Sequence, residues 1–380
     1  MAQIRHFFII CGEASGDLHA ANLAQKILEI DPQIKISAVG GINLASAGVR
    51  IICDIKDLAV IGLFDVFKKL PRFFALQKLI LKKIEAEKPD AIILVDFSGF
   101  NLRLAKKINK TIPVIYYISP QVWASRPGRV KTIRDYIDKL IVLFKFEEEF
   151  YKRYGIDVNF VGHPLLDIAR PSLEKKEFLH KFNLSESKIT IALLPGSRKQ
   201  EIKNILPIML KVAMLINKKS DNLQFLIAKS AQVDWNIYKH KMRGVDIDLK
   251  IIENKTYDCL GLADFCLVAS GTATLETAIM EKPFAIIYKM HPLNYLLYRP
   301  QIKLAFIGMV NIVAGRKIVP EFIQFQATPK KISEQVLSIL KDPSRIARMK
   351  NELAQVKSSL GEKGASSRAA RLIVDFLNKK

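Results

Sequence analysis

Two stretches of this chain pair glycine, hydroxyl and charge in a way that suits a phosphate. In Leu194-Pro195-Gly196-Ser197-Arg198 an apolar run gives way to a helix-forming segment that contains Glu201. Gly196 lets the backbone approach a ligand, Ser197 offers a donor at a helix start, and Arg198 adds a fork-shaped cation. In Ser270-Gly271-Thr272-Ala273-Thr274-Leu275-Glu276 the same arrangement recurs, with small residues opening the helix and Glu276 one turn in. A carboxylate there can accept both hydroxyls of a ribose; it is equally the favoured position of any acid in a first helical turn. No GK[ST] follows the glycines, so these are not Walker loops.

Five more stretches carry candidate chemistry. Gly12-Glu13-Ala14-Ser15-Gly16-Asp17 follows an apolar run and opens a helix, with Ser15, Gly16 and Asp17 either facing a ligand or capping that helix. It is not GxGxxG and carries no dinucleotide signature. Asp96, in Asp96-Phe97-Ser98-Gly99-Phe100-Asn101, stands at the mouth of the apolar run Ala91–Val95. A carboxylate there can serve as a general base, or it can cap the next helix together with Asn101. Ser119-Pro120-Gln121-Val122-Trp123-Ala124 offers Gln121 and Trp123, an aromatic for stacking on a sugar or base, with Arg126 and Arg129 downstream for phosphate. A packed loop anchor would read the same way. His163, in Gly162-His163-Pro164, is a ligand contact or a capped turn residue, and Asn311, Arg316 and Glu321 punctuate a later apolar region.

These loops need strands to position them. Apolar runs rich in Ile and Val at 6–11, 34–39, 91–95, 114–118, 140–144 and 158–161 alternate with helix-period segments. A second series follows at 190–194, 225–228, 249–252, 265–268 and 284–288. That alternation predicts two parallel sheets flanked by helices, two Rossmann-like halves. Ligands of such sheets sit beyond the carboxyl ends of the strands, where these loops fall. The charged stretch 166–188 is expected to connect the halves. A helical segment closes the chain, with Gly361 and Gly364 before its last helix.

At 380 residues, 49% hydrophobic and 25% charged, the chain has the composition of a globular protein of about two domains. Its charge is less ordinary: 59 Lys and Arg against 37 Asp and Glu give +22, which calls for anionic partners. No nucleic-acid motif is present. Leu58–Lys83 mixes Phe64, Phe67, Phe73 and Phe74 with Lys68, Lys69, Arg72 and Lys78, as an interfacial helix on anionic lipid would. Cys11, Cys53, Cys259 and Cys266 show no metal spacing or disulfide framework, and no signal peptide or spanning helix is legible. A cytoplasmic location is expected.

Taken in order, these motifs resemble the lipid-A-disaccharide synthase family. The resemblance rests on Gly12–Asp17, Val60-Ile61-Gly62-Leu63, Ser119–Ala124, Gly162-His163-Pro164, Leu194–Arg198, Ser270–Glu276 and the stretch from Asn311 to Glu321. One departure is Ser125, where the family usually carries a second tryptophan. The resemblance implies an α/β fold of GT-B type: two Rossmann-like domains, an interdomain cleft and a helical C-terminal segment. An acceptor and membrane-facing domain would occupy 1–165, a connection 166–188, and a UDP-sugar domain 189–360. Residues 361–380 would pack back on the first domain or on a partner subunit, with a homodimer left open.

The implied reaction is metal- and cofactor-independent inverting transfer from UDP-2,3-diacylglucosamine to 2,3-diacylglucosamine 1-phosphate, on the cytoplasmic face of the inner membrane. Asp96 would take the acceptor proton. Arg198 and the 271–274 helix start would hold UDP, and Glu276 its ribose. A nucleotide-sugar epimerase would use the same fold and UDP loops; a plain lipid or nucleic-acid binder would account for the charge alone.

Overall fold

The computed structural model describes residues 5–55, 66–125, 127–220, 222–231, 233–292, 295–296 and 304–379, without the side chains of 66–72. The chain forms two compact units, Met1–Pro164 with Leu360–Lys380, and Leu165–Ser359.

The first unit holds a sheet of β1 (His6–Ile10), β2 (Lys35–Gly40), β3 (Arg50–Asp54), β4 (Ala91–Val95), β5 (Val114–Tyr117), β6 (Lys139–Val142) and β7 (Val158–Phe160). Their order is β3-β2-β1-β4-β5-β6-β7, and every pairing is parallel. Both faces are covered by helices, so central strands read as unbroken apolar runs. All five residues of β4 are fully buried. The chain runs outward from β1 to β2 and, later, outward from β4 to β5. The sheet therefore reverses direction between β1 and β4, and that switch point is where open α/β sheets leave a crevice.

The second unit repeats the plan with β8 (Ile189–Leu194), β9 (Leu223–Lys229), β10 (Leu249–Glu253), β11 (Phe265–Ala269), β12 (Phe284–Tyr288) and β13 (Glu321–Ile323). The order is β10-β9-β8-β11-β12-β13, again parallel throughout. Its switch point lies between β8 and β11. The fold is two-lobed α/β of GT-B type with a helical C-terminal segment.

Two strands escape the sequence pattern. β3 has charged ends, with Arg50 exposed and the other four residues half-buried, and β13 is three residues long. Both are edge strands, where burial on two faces no longer enforces an apolar run. The stretch 166–188 carries helices Leu165–Ile168 and Lys175–Lys181 within the second unit, and Phe178 of the latter is in that unit's core. The closing helix Ala365–Asn378 packs on helix Ala14–Ile30 in the first unit.

Candidate functional site

In the first unit, the loops after β1 and β4 meet at the switch point. A Cβ on Gly16 would lie 3.9 Å from that of Asp96, and a Cβ on Gly12 would strike the Phe97 ring at 2.3 Å. Only glycine at 12 admits that ring. Asn101 ties the two strand ends together: its Nδ2 donates to the carbonyls of Ile10, Val95 and Asp96 at 3.4, 3.3 and 2.8 Å. The Tyr116 hydroxyl also donates to the Asp96 carbonyl. Asp96 is half-buried, and its charge helps push the Cys11 thiol upward, behind the larger effect of burial.

The backbone there is strained. Asp96 and Phe97 have φ of 49° and 48°, and Ile118, the residue just after β5, has φ 66°. A left-handed conformation costs a non-glycine residue about 1–2 kcal/mol, and a β-branched residue adopts it rarely. Three such residues at the carboxyl ends of neighbouring strands mark a place where geometry is held against local preference.

Beside them lies a buried polar cluster that spacing does not announce. Glu147, in the first turn of helix Lys145–Lys152, is 2% exposed. Its Oε1 accepts from Ser119 Oγ at 2.9 Å and from Trp123 Nε1 at 3.1 Å. Its Oε2 accepts from the backbone N–H groups of Phe144 and Leu143 at 3.1 and 3.3 Å. Burial lifts its carboxyl to about 7 in spite of these bonds. Ser119 also bonds the Tyr151 hydroxyl at 2.9 Å. One carboxylate thus fixes the loop that carries Trp123. Gln121 is exposed and Arg126 lies outside the described residues.

His163 is buried, with its ring 5.3 Å from Phe144 and 6.3 Å from His19. Burial, then the neighbouring His19, depresses it to about 3, and burial takes His19 to about 4. Both are neutral near pH 7. The turn before it is clamped by Arg368 of the closing helix, whose Nε and Nη2 donate to the Val161 carbonyl at 2.9 and 2.7 Å. The His163 N–H donates to the Leu360 carbonyl at 2.9 Å.

Asp17 is occupied elsewhere. Its carboxylate accepts from the N–H groups of Gly41, Asn43 and Leu44 and from Asn43 Nδ2, so it caps the short helix Ile42–Ser46. Ser15 is half-buried in the first turn of helix Ala14–Ile30, beside buried Gly16.

In the second unit, the two phosphate-type loops follow β8 and β11, the strands flanking its switch point. Gly196 has φ 107°, and a Cβ there would meet Glu201 Oε2 at 2.3 Å. Glu201 folds back to accept the N–H groups of Ser197 and Arg198 at 3.1 and 3.2 Å. A carboxylate thus sits on donors that could instead serve an anion. Arg198 stays largely exposed, 3.5 Å from Glu201. Across the switch point, Ser270, Gly271, Thr272 and Ala273 lead into helix Ala273–Ile279, with Thr274 Oγ1 donating to the Gly271 carbonyl at 2.8 Å. Burial raises the Glu276 carboxyl; the Tyr257 hydroxyl, 2.8 Å from its Oε1, opposes that rise.

Asn311 and Glu321 are turned inward. Asn311 bonds the backbone of Ile318 and Val319 and the Glu321 carboxylate, which also accepts from Ile307 and Gly308 N–H. Together they brace the 307–321 loop. Arg316 pairs with Glu352.

Of the Leu58–Lys83 stretch, residues 58–65 lie outside the described residues. From residue 73, Phe74 and Leu79 are exposed beside Lys78, Lys82 and Lys83, while Gln77, Ile80 and Ile84 face inward. Among the described residues, no helix is long and apolar enough to cross a membrane, and no cluster of three or more His, Cys, Asp or Glu could hold a metal ion.

The family model described as lipid-A-disaccharide synthetase matches residues 7–375. The chain belongs to the lipid-A-disaccharide synthase family. Among its relatives, the lipid-A-disaccharide synthase of Syntrophus aciditrophicus is 42% identical over 373 residues, covering 98% of this chain and 97% of that one. The synthase of Geobacter metallireducens is 37% identical over 378 residues, covering 99% and 98%. The chain is accordingly an enzyme of the glycosyltransferase type that family comprises. Solved structures agree on the fold. UDP-GlcNAc 2-epimerase from Neisseria meningitidis, bound to UDP-GlcNAc, superposes with a TM-score of 0.64 at 15% identity, covering 99% of this chain and all of that one. A calicheamicin glycosyltransferase gives 0.61 at 14%, covering 100% and 99%.

Proposed function

We propose that this enzyme joins UDP-2,3-diacylglucosamine to 2,3-diacylglucosamine 1-phosphate by inverting transfer, forming the β-1,6 lipid A disaccharide 1-phosphate and UDP. The observation that carries this reading is the placement, in a chain of this family, of Asp96 at one switch point and of Arg198 and Glu276 around the other. Asp96 removes the proton of the acceptor 6-hydroxyl as that oxygen attacks the anomeric carbon of the donor. The bond from that carbon to the diphosphate breaks, and Arg198 with the N–H groups opening helix Ala273–Ile279 holds the charge growing on UDP. Glu276 takes the ribose hydroxyls. Trp123, held by Glu147, packs on a sugar face.

Both substrates are anionic and acylated, and the +22 charge supports a reading in which the enzyme works on the cytoplasmic face of the inner membrane. The test is incubation of the purified chain with both acylated sugars and mass spectrometry of the products. A tetra-acyl disaccharide phosphate with stoichiometric UDP is expected. Conversion of the UDP-sugar without the acceptor would point to the epimerase reading instead, as the fold it shares with UDP-GlcNAc 2-epimerase allows.

A further inference from the structure

Asp96 is gripped through its main chain from two directions. Its N–H donates to the Tyr117 carbonyl at 3.4 Å, while its own carbonyl accepts from Asn101 Nδ2 at 2.8 Å and from the Tyr116 hydroxyl. The tyrosines belong to β5, the strand paired beside β4, and Asn101 to helix Ser98–Ile108, which the turn opens. Asn101 and Tyr116 are both 0% exposed. A helix packed on a sheet ordinarily buries hydrocarbon against the strands. Here it buries an amide whose donors go to main-chain carbonyls. Burial, then the charge of Asp96, lifts the Tyr116 phenol well above its ordinary value, so that hydroxyl stays protonated and remains a donor.

The grip opposes the local preference of the chain. Asp96 and Phe97 take φ of 49° and 48°, and Phe97, the residue before the helix, offers no side-chain cap. A left-handed residue other than glycine is unfavourable by about as much as one hydrogen bond contributes, so strain and grip are matched in size. With one donor gone, the turn relaxes toward the ordinary regions of φ. Rotation about the N–Cα bond then swings the Asp96 Cβ and its carboxylate. A base displaced by about 1 Å from its proton loses on the order of 10²-fold in rate. Tyr116 and Asn101 bond carbonyl oxygens, so their effect on the chemistry passes through Asp96. We propose that Asn101 and Tyr116 are positioning residues that hold the Asp96–Phe97 turn in its left-handed form and so aim the Asp96 carboxylate at the acceptor hydroxyl. The inference rests on the proposed base role of Asp96 and deepens it.

The test compares the full-length wild type with Tyr116→Phe, Asp96→Asn and the double variant, all assayed with both acylated sugars dispersed in detergent. Tyr116→Phe deletes one hydroxyl and keeps the ring, so its melting temperature should fall by only a few degrees. Its kcat is expected to drop about tenfold, with KM for both substrates within about twofold of the wild type. In the Asp96→Asn background the same hydroxyl should matter by less than about twofold, because no base is left to aim. Asn101→Ala, which removes the other donor, should repeat this pattern with a larger loss of kcat; if it does not fold, the Tyr116→Phe cycle decides alone. Tyr116→Phe with kcat within about twofold of the wild type overturns the positioning role. So does an equal loss in both backgrounds, which would make the hydroxyl a general prop of the fold. Near wild-type turnover of Asp96→Asn overturns the base reading itself, and that result is read from the single variant without reference to Tyr116.

Discussion

The indole N–H of Trp123 donates to Glu147 Oε1 across 24 residues of sequence, the same oxygen that takes the Ser119 hydroxyl. A loop between β5 and the next helix is therefore held by the helix after β6. Glu147→Ala would strip the acceptor from two side chains and two backbone N–H groups in a buried setting. Leaving buried donors unsatisfied costs about 1–3 kcal/mol each, tempered by relaxation and water entry. We expect a loss of about 4 kcal/mol in urea denaturation, the lower end of what four such donors imply. Ser119→Ala, which keeps three of the four donors to Glu147 satisfied, should cost about 1 kcal/mol. Equal losses for the two variants would remove Glu147 as the organiser of the loop.

Much of the site was legible because glycine, hydroxyl and charge cluster directly after Ile/Val-rich runs, and parallel sheets oblige such loops to share one end of the sheet. The loops 194–198 and 269–276 fall at a switch point for that reason. What could not be read were the long-range partners. Glu147, Tyr257 and Arg368 stand in helices whose local pattern looks like ordinary amphipathic surface; only the folded chain shows that they face Trp123, Glu276 and Val161. Asp17 shows the converse. Its position in a first helical turn suited a ligand contact, and its four donors come from residues 41–44, which no spacing rule connects to it. The edge strands β3 and β13 lacked the apolar run because only central strands are buried on both faces.

Acid should destabilise the first unit through two histidines. His163 and His19 are held at about 3 and 4 in the folded chain, against 6.5 when exposed. Between those values the unfolded chain binds more protons, so stability rises with pH up to about 6.5 and falls as pH drops toward 3. Glu147 runs the other way: its folded value near 7 exceeds 4.5, so its contribution weakens stability as pH climbs from 4.5 to 7. His163→Gln should flatten the acid limb in denaturant titrations between pH 4 and 6.5. An unchanged slope would mean that His163 is not buried neutral.

Asp96→Asn keeps the shape of the residue and removes its basicity. If the carboxylate takes the acceptor proton, kcat should fall about 10²- to 10⁴-fold while the melting temperature holds, because the backbone bonds from Asn101 and Tyr116 reach the Asp96 carbonyl and survive the change. Turnover within a few-fold of wild type in a folded variant would remove Asp96 from the base role and leave it as part of the strained turn.

Arg198 is largely exposed and lies 3.5 Å from Glu201, in the loop that the sequence reads as a phosphate site. Arg198→Ala should weaken UDP binding by about 10- to 100-fold, the range of a charge-assisted hydrogen bond, and leave unfolding unchanged. Calorimetry with UDP, and with uridine as control, separates the effects: uridine affinity should stay level if Arg198 meets the diphosphate. A parallel loss for uridine would place Arg198 elsewhere.

Tyr257 tests the ribose assignment without touching Glu276. Its hydroxyl donates to Glu276 Oε1 at 2.8 Å and opposes the rise that burial imposes on that carboxyl. Tyr257→Phe removes the hydrogen bond and leaves the ring. The Glu276 carboxyl should then titrate higher, so a smaller fraction is ionised at a given pH and donor hydroxyls find a weaker acceptor. The expected signature is a several-fold higher KM for the UDP-sugar with kcat nearly unchanged, the mark of binding lost equally from ground and transition states. The KM rise should shrink as pH is raised, because ionisation of Glu276 is then restored. A fall in kcat at constant KM would instead tie Glu276 to the departing diphosphate, and a pH-independent KM would show that Tyr257 acts by packing alone.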